Sequence, residues 1–315
     1  MAEQNQELES QQIVATTPPP PARPNPQRYR LMMQKASRGP WWILVILGLV
    51  KLFVDAVEDR PIYQLAWEEV RKGLWTTIWV TLVAYGIALL LGLFFALMRR
   101  PSDSIFYNLF IYQPTTVVIE IIRGIPTLVL VFYITLAGVP QLVDLINAQS
   151  EALLNRGTIN GTFLEEHVIY LSELTPRDIP TVYRAIAALA ISYAAFLSEI
   201  FRAGLDSVDI GQREAARSMG MKQWQIMLTI ILPQAIRNIL PALGNDFIAM
   251  LKESSLVSVV GVQDITRSGQ SFAAATFTFF QAYNVIAVTY LVLTISISII
   301  VKIIELYLGR GRKLN

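Results

Sequence analysis

Long uncharged apolar segments alternate with short charged ones along most of this chain. Three runs contain no charged residue: Leu74–Met98, Gly124–Val143 and Phe272–Val301. Each has at least the length of about 20 residues that crosses roughly 30 Å of hydrocarbon, at about 1.5 Å per helical residue. A helix also satisfies its own backbone hydrogen bonds in lipid, so the pattern predicts helices that span a membrane.

Three further segments are apolar but carry charged residues, and we interpret them as spans as well. They are Trp41–Val57, Ala185–Leu205 and Ile239–Val262. The first starts 40 residues into the chain and lacks a small-residue cleavage site, which favours an extra N-terminal helix over residues 41–57 rather than a signal peptide. The expected fold is an all-α integral membrane protein with about six transmembrane helices.

The composition agrees with this class of protein. Of all residues, 53% are hydrophobic and 16% are charged, whereas soluble domains usually contain about 25% charged residues. The chain has no cysteine and a single histidine, His167, so we expect neither disulfides nor a metal site. It has no Gly-x4-Gly-Lys-Ser/Thr phosphate-binding loop, so any ATP would be bound by another subunit. We expect no catalytic residues and no cofactor.

The charged segments indicate how the chain is oriented. Residues 1–40 are polar and Pro-rich, and we expect a disordered cytoplasmic tail because they cannot form a core. Basic residues are concentrated in this tail, after Met98, over residues 213–237 and at the C-terminus, which predicts that both termini are cytoplasmic. Residues 144–182 would then face the periplasm, either as a solvated loop with short helices or as a docking surface for an external partner.

A polar elbow over residues 209–233 separates two apolar segments. Two short amphipathic helices are predicted in it, the first ending at Gly220 and the second at Pro233. One face of the first helix is expected to let another protein approach closely. Its residues are Ala215, Ala216 and Met219. Alternatively, the elbow is only a membrane-surface connector between two spans.

The order of residues in the elbow resembles the EAA loop of permease subunits of ABC importers. Glu214, Ala215 and Ala216 are followed by Gly220 and by a later Ile-Leu-Pro. In that family the loop contains a coupling helix that docks on a cytoplasmic ATPase. The resemblance therefore implies a coupling role for these four residues, and it extends over roughly residues 70–310.

Three stretches resemble permeases for polar amino acids in particular. They are VVIEIIRGIPTLVLVFYI from Val117, SEIFRAGLDSVDIGQREAARSMG from Ser198 and LPALGNDFIAMLKESSLVSVVGVQDIT from Leu240. The resemblance implies a type I ABC importer permease fold in the inner membrane. It also implies three partners: an ABC ATPase, a periplasmic amino-acid-binding protein and a second permease chain, identical or related.

The resemblance favours import of polar amino acids and no partnership with nucleic acid. The alternative substrate is another small polar solute, such as an opine. A membrane-embedded enzyme, a passive channel or a signalling scaffold fits the pattern less well, because none explains the coupling motif. The extra N-terminal helix and the long 144–182 segment depart from the five-helix pattern common in the family.

Charged residues inside predicted spans indicate functional positions, because each costs about 2.5–3.5 kcal/mol at the centre of a bilayer. Asp246 and Glu253 are seven residues apart and share a helix face, where they could hold the ammonium group of an amino acid. Alternatively, Asp246 caps a helix turn and Glu253 lies near the outer headgroups. With the resemblance, we place Asp246, Glu253, Glu199 and Asn245 on the substrate pathway.

Two pairs at i, i+3 spacing favour ion pairs or gate elements, namely Glu199 with Arg202 and Glu120 with Arg123. Between the second pair and the next apolar run, glycine and proline relax the helix. We therefore expect a hinge at Gly124 and Pro126.

Overall fold

The computed structural model describes residues 41–157 and 163–309, and every regular element in these ranges is helical. The predicted tail over residues 1–40 lies outside the described residues. Contacts divide the chain into two compact units. The first is Met1–Phe53, of which the structure describes the beginning of one helix, and the second is Val54–Asn315. The prediction of an all-α protein is confirmed.

The helices are numbered in chain order, and some contain short π-helical or 3-10 turns. They are α1 (Trp41–Asp59), α2 (Pro61–Lys72), α3 (Leu74–Met98), α4 (Ile105–Gly124), α5 (Thr127–Asn155), α6 (Leu164–Ser172), α7 (Thr181–Asp206), α8 (Ile210–Ser218), α9 (Gln223–Val260), α10 (Ile265–Thr276) and α11 (Phe279–Gly309). The π-helical turns lie at Asn108–Tyr112, Tyr133–Gly138 and Met227–Ile231.

Six described segments are long and apolar enough to cross a membrane, the number that the sequence predicted, although the two sets differ in one segment. They are Pro61–Met98, Ile105–Gly124, Thr127–Asn155, Thr181–Asp206, Gln223–Val260 and Phe279–Glu305. Helix α1 carries Lys51, Asp55 and Glu58 and is not among the six, so its crossing of the membrane stays a prediction. Helix α4 is among them, although its polar residues from Gln113 to Thr116 concealed it in the sequence.

Close packing of α3 against α7 forms the core of the second unit. Small residues recur every four positions on α3 and are buried. They are Ala84, Ala88, Gly92 and Ala96. A Cβ on Gly92 would lie 2.8 Å from the Cβ of Leu197 in α7, so the glycine lets the two backbones approach. Small residues at helix contacts are typical of membranes, where close packing holds helices together without exclusion of water.

Pro233 does not end the helix that begins at Gln223, so that prediction was wrong. A π-helical turn over Met227–Ile231 precedes the proline, and the N–H of Leu232 donates to the carbonyl of Met227. The wider turn changes which carbonyl faces the proline ring, so the helix continues without the clash of a regular α-helix. The second short helix of the elbow is the first part of the long helix α9.

The predicted span Phe272–Val301 is divided between two helices. Helix α10 ends at Thr276, Phe277 has a left-handed backbone with φ of 55°, and α11 begins at Phe279. A bulky residue in the left-handed region interrupts the helical path and redirects the chain. Nothing in the apolar pattern of this run marks the break.

Asp264 and Ile265 connect the start of α10 to α11 and to the start of α3. The Asp264 side chain accepts a hydrogen bond from the N–H of Arg267 at 2.7 Å, which caps α10, and one from the hydroxyl of Tyr290 in α11 at 3.2 Å. The N–H of Ile265 donates to Oγ1 of Thr77 in α3 at 3.1 Å. Asp264 is fully buried, and burial raises the pKa of its carboxyl above the ordinary value, although these hydrogen bonds oppose the shift.

We predict that Asp264→Ala destabilises the protein by about 2 kcal/mol or more. The substitution removes a helix cap, worth about 1 kcal/mol, and removes the carboxylate acceptor of the partly buried Tyr290 hydroxyl, which keeps only its contact with Thr266. Asp264→Asn keeps a cap oxygen and the neutral form that burial favours, so it should cost less than half as much. Thermal unfolding in detergent measures both, and equal losses for the two variants would contradict this role.

Candidate functional site

The elbow folds into a short helix with well-defined ends. Asp209 caps α8 by accepting from the N–H of Gly211 at 2.7 Å. Gly220 has φ of 78° and follows the helix, where its N–H donates to the carbonyl of Arg217. The N–H of Met221 donates to the carbonyl of Ala216, which completes a Schellman motif. The predicted helix end at Gly220 is thus observed.

The residues of the EAA motif point in different directions. Ala216 is fully buried among Leu205, Ile226 and Ile231, whereas Ala215, Glu214 and Met219 are exposed. The expected face of Ala215, Ala216 and Met219 is therefore wrong for Ala216, which lies about 100° from Ala215, whereas Ala215 and Met219 are both exposed. Ala216 instead holds α8 against the ends of α7 and α9.

Two polar contacts fix the elbow to the neighbouring helices, and a third joins the residue after α7 to α9. Nη2 of Arg213 donates to the carbonyl of Leu205 at the end of α7, at 2.5 Å. Nε2 of Gln234 donates to Oε1 of Gln212 at 2.5 Å, and Nδ2 of Asn238 donates to Oγ of Ser207 at 2.9 Å. Because both flanking helices hold it, α8 can transmit a displacement to them.

Glu199 is the common acceptor of three arginines from three helical segments. Arg99, just after α3, lies 2.5 Å from its Oε1; Arg202, on α7 itself, lies 2.7 Å from its Oε2; and Arg123 of α4 lies 3.5 Å from its Oε1. Glu120 lies 3.7 Å from both Arg99 and Arg123. We call these five residues the Glu199 junction.

The junction bears on two of the sequence expectations. Both i, i+3 ion pairs are observed. Guanidinium groups surround both oxygens of Glu199, and its place on the substrate pathway stays a prediction. Its partner Arg99 comes from a segment 100 residues away in sequence and is only 10% exposed. A contact of that separation carries no local sequence pattern.

The expected hinge lies directly beside the junction. Helix α4 ends at Gly124, and Ile125 and Pro126 are extended, with ψ of 133° and 136°, before α5 begins at Thr127. A Cβ on Gly124 would meet no atom within 4 Å, so the break is not tightly packed. The interruption of the helix is observed at the predicted place, and its movement stays a prediction.

Asp246 and Glu253 lie on the inner side of α9, at the depth of the middle of α3 and α7. Tyr193, near the middle of α7 and only 4% exposed, faces Glu253 and lies within electrostatic range of Asp246. Tyr85, near the middle of α3, packs edge-on against Phe247 at 5.0 Å and donates to the carbonyl of Leu243 at 2.7 Å. This depth argues against the alternative that Glu253 lies at the outer headgroups.

The Asp246 carboxylate is incompletely satisfied. Its Oδ2 is buried and has no hydrogen-bond partner among the described residues. An unpaired buried acceptor costs free energy, so a ligand that donates to it would be favoured. Asn245 does not join this pair; it is exposed on the neighbouring side of α9.

An aromatic cavity opens at the end of α3 and α7 remote from the Glu199 junction. Its volume is about 410 Å³, and Trp75, Trp79 and Tyr183 line it together with the turn at Gly261. Trp79 and Tyr183 meet edge to face with their ring centroids 6.0 Å apart. The cavity, the acidic pair and the junction thus lie at three successive depths along α3 and α7. The sequence gives no indication of the cavity, because its walls come from distant segments.

Comparison with known proteins assigns this arrangement to a family. The family model described as "Binding-protein-dependent transport system inner membrane component" matches residues 88–312. The chain belongs to this family. It is therefore a multi-pass membrane protein of the permease type, and the match includes the elbow, the Glu199 junction and the acidic pair of α9.

Curated relatives of this inner membrane component carry amino-acid transport names. The Probable amino-acid permease protein YxeN of Bacillus subtilis is 36% identical over 74% of this chain and 88% of its own length. The Glutamine transport system permease protein GlnP of Escherichia coli is 28% identical over 74% of this chain and 90% of its own length.

Solved structures give the same picture of the fold. One described as "Crystal structure of an amino acid ABC transporter with histidines" superposes with a TM-score of 0.58, covers 80% of this chain and 97% of its own, and is 36% identical. The inward-facing MetNI methionine ABC transporter superposes with a TM-score of 0.55 at 20% identity, which bears on the fold alone. The expected type I ABC permease fold is confirmed.

We predict that Glu199→Gln lowers the stability of the protein by between about 1 and 3 kcal/mol. The loss lies between the values for exposed and buried ion pairs, because Arg99 would stay buried without a full counter-charge while Arg202 could turn to solvent. The matched variant is Glu120→Gln: this side chain is 57% exposed, and the change should cost about 0.5 kcal/mol or less. Unfolding in detergent measures the stability of both variants. An equal loss of stability for the two would refute the central position of Glu199.

Proposed function

We propose that this chain is the transmembrane subunit of an ATP-driven ABC importer that translocates polar amino acids delivered by an extracytoplasmic binding protein. The observation that carries the proposal is an exposed EAA helix, fixed to two spans, in a chain 36% identical over 74% of its length to a probable amino-acid permease. ATP is bound and hydrolysed by a separate ATPase subunit. Two permease chains form one pathway.

The ATPase docks on the exposed side of the elbow. Besides Glu214 and Ala215, the elbow exposes the large apolar residues Ile210, Met219 and Trp224, which are between 60% and 72% exposed. Exposed apolar side chains around a small residue are typical of an interface into which a partner's groove fits closely. With the elbow in the cytoplasm, both termini are also cytoplasmic and the 144–182 segment faces the binding protein.

Replacement of Ala215 by a large charged residue should uncouple the ATPase. We predict that Ala215→Arg abolishes co-purification of the ATPase, because a long side chain prevents close approach at this exposed position. The free energy of unfolding of this variant should change by only about 0.5 kcal/mol, as is usual for a substitution at the surface. Ala215→Ser is the matched control and should retain the partner. Full retention of the ATPase by Ala215→Arg would mean that the elbow is only a connector.

The acidic pair of α9 binds the ammonium group of the substrate. Two carboxylates at mid-membrane depth are costly unless a cation or hydrogen-bond donors compensate them, and Asp246 Oδ2 has no such donor among the described residues. A polar amino acid supplies an ammonium group that can donate to both carboxylates in turn as it moves along α9. In this orientation, the aromatic cavity lies at the end of α3 and α7 that faces the binding protein.

Neutralisation of either carboxylate should weaken transport. We predict that Asp246→Asn or Glu253→Gln, reconstituted with the ATPase and binding protein, lowers amino-acid-stimulated ATP hydrolysis at least about tenfold. Loss of a charge-assisted hydrogen bond, worth about 1.5–3 kcal/mol, is the physical reason. Glu68→Gln makes the same chemical change on an exposed site of α2 and should have no effect.

The same ATP-hydrolysis assay is run with each of the twenty amino acids, so it also tests the substrate class. Stimulation by a few polar amino acids in the wild-type complex supports the proposal. If no amino acid stimulates an assembled complex, the chain is a permease for a different solute. If both acidic variants keep the wild-type response, the pair does not contact the substrate.

A further inference from the structure

Helix α4 presents an unusual apolar stripe to its surroundings. Exposed apolar residues recur on it about every turn, as three pairs and a single residue, interrupted only at Gln113 and Pro114. They are Ile105, Phe106, Leu109, Phe110, Val117, Val118 and Ile121, with exposed fractions between 46% and 84%. The opposite side holds the buried Thr115 and Ile119. Helix α4 therefore has one side packed against the protein and an apolar stripe on the other side that the described residues leave uncovered.

Both halves of α4 contact the same end of α3. Near the start of α4, the hydroxyl of Tyr107 donates to the carbonyl of Met98 at 3.2 Å. Near its end, Glu120 lies 3.7 Å from Nη2 of Arg99, the residue that follows Met98. The connection between the two helices is short and fixed, because Nδ2 of Asn108 donates to the carbonyl of Ser102 at 2.6 Å.

These contacts determine the direction of α4. The helix advances by about 20 Å between Tyr107 and Glu120, at about 1.5 Å per residue. If α4 crossed the membrane antiparallel to α3, Glu120 would lie about 20 Å from the level of Met98, beyond the reach of Arg99. Since both residues meet the end of α3, α4 must run across that end.

The end of α3 marks one surface of the membrane. The uncharged run stops at Met98, and two arginines follow, as is typical where a span leaves the hydrocarbon. The Glu199 junction, with Arg123 near the end of α4, lies at this same level. A helix held along this level at both ends lies in the plane of the headgroups.

We propose that α4 is an interfacial helix rather than a membrane span, and that its partner is the phospholipid leaflet on the Arg99 side of the membrane. Its apolar stripe inserts into the boundary between headgroups and acyl chains, to a depth of about 5–10 Å. The chain then enters the bilayer only after the Gly124 to Pro126 break, with α5. The leaflet thereby holds the segment that precedes the hinge.

Fluorophore depth along α4 tests this placement. The chain contains no cysteine, so single cysteines can be introduced without removing native ones. We would replace Phe106, Phe110, Val117 and Ile121 in turn by cysteine, attach a small fluorophore and reconstitute each full-length variant in phosphatidylcholine vesicles. Lipids that carry a spin label near the headgroup or near the end of the acyl chain then quench the fluorophore according to its depth. Leu90→Cys, on an exposed side chain of α3, is the reference for a deep position.

If α4 is interfacial, the headgroup label should quench the fluorophore at all four positions at least twice as strongly as the chain-end label does. At Leu90 the order should be reversed. A membrane span would instead place Phe110 and Val117 near the bilayer centre, roughly 15 Å deep, with the deep quenching of Leu90. That result overturns the proposal. Absence of lipid quenching at all four positions, with Leu90 still quenched, would show that a protein surface covers the stripe and would overturn it equally.

Discussion

The contact between Glu199 and three arginines is the constraint on which the rest of this structure depends. It fixes the end of α3, the segment before the hinge and the last turns of α7 to one carboxylate. Helix α7 then leads directly into the elbow, where Arg213 bonds back to its last turn. Force applied to α8 therefore reaches the Gly124 break through a short chain of ionic contacts. Such contacts are strong here because Arg99 is nearly buried.

Between this junction and the aromatic cavity, the helix backbones of the core lie close together and polar groups lie between them. The small residues of α3 allow α7 to approach, and the tyrosines of these two helices face the carboxylates of α9. In lipid, this is an expensive arrangement that packing alone does not explain, since apolar residues would fill the same space at lower cost. It is explained if charged or zwitterionic solutes pass this level, as expected of a member of the binding-protein-dependent transport family.

Local chemistry was predictable from the sequence, and contacts between distant segments were not. The end of α8 at Gly220 follows from the left-handed backbone of a Schellman motif, and the break at Gly124 follows from its neighbouring proline. The continuation of α9 through Pro233 depended on a π-helical turn. The ionic environment of Glu199 depended on Arg99, 100 residues earlier. Burial of Ala216 rather than Ala215 likewise depended on which side of α8 meets α7 and α9.

Uptake of labelled amino acids is the most direct test of the account as a whole. Liposomes would contain the chain with its ATPase, ATP inside and the binding protein outside. The account predicts accumulation of one or a few polar amino acids that requires ATP, the binding protein and both acidic residues of α9. An assembled complex that hydrolyses ATP yet accumulates none of the twenty amino acids would contradict it.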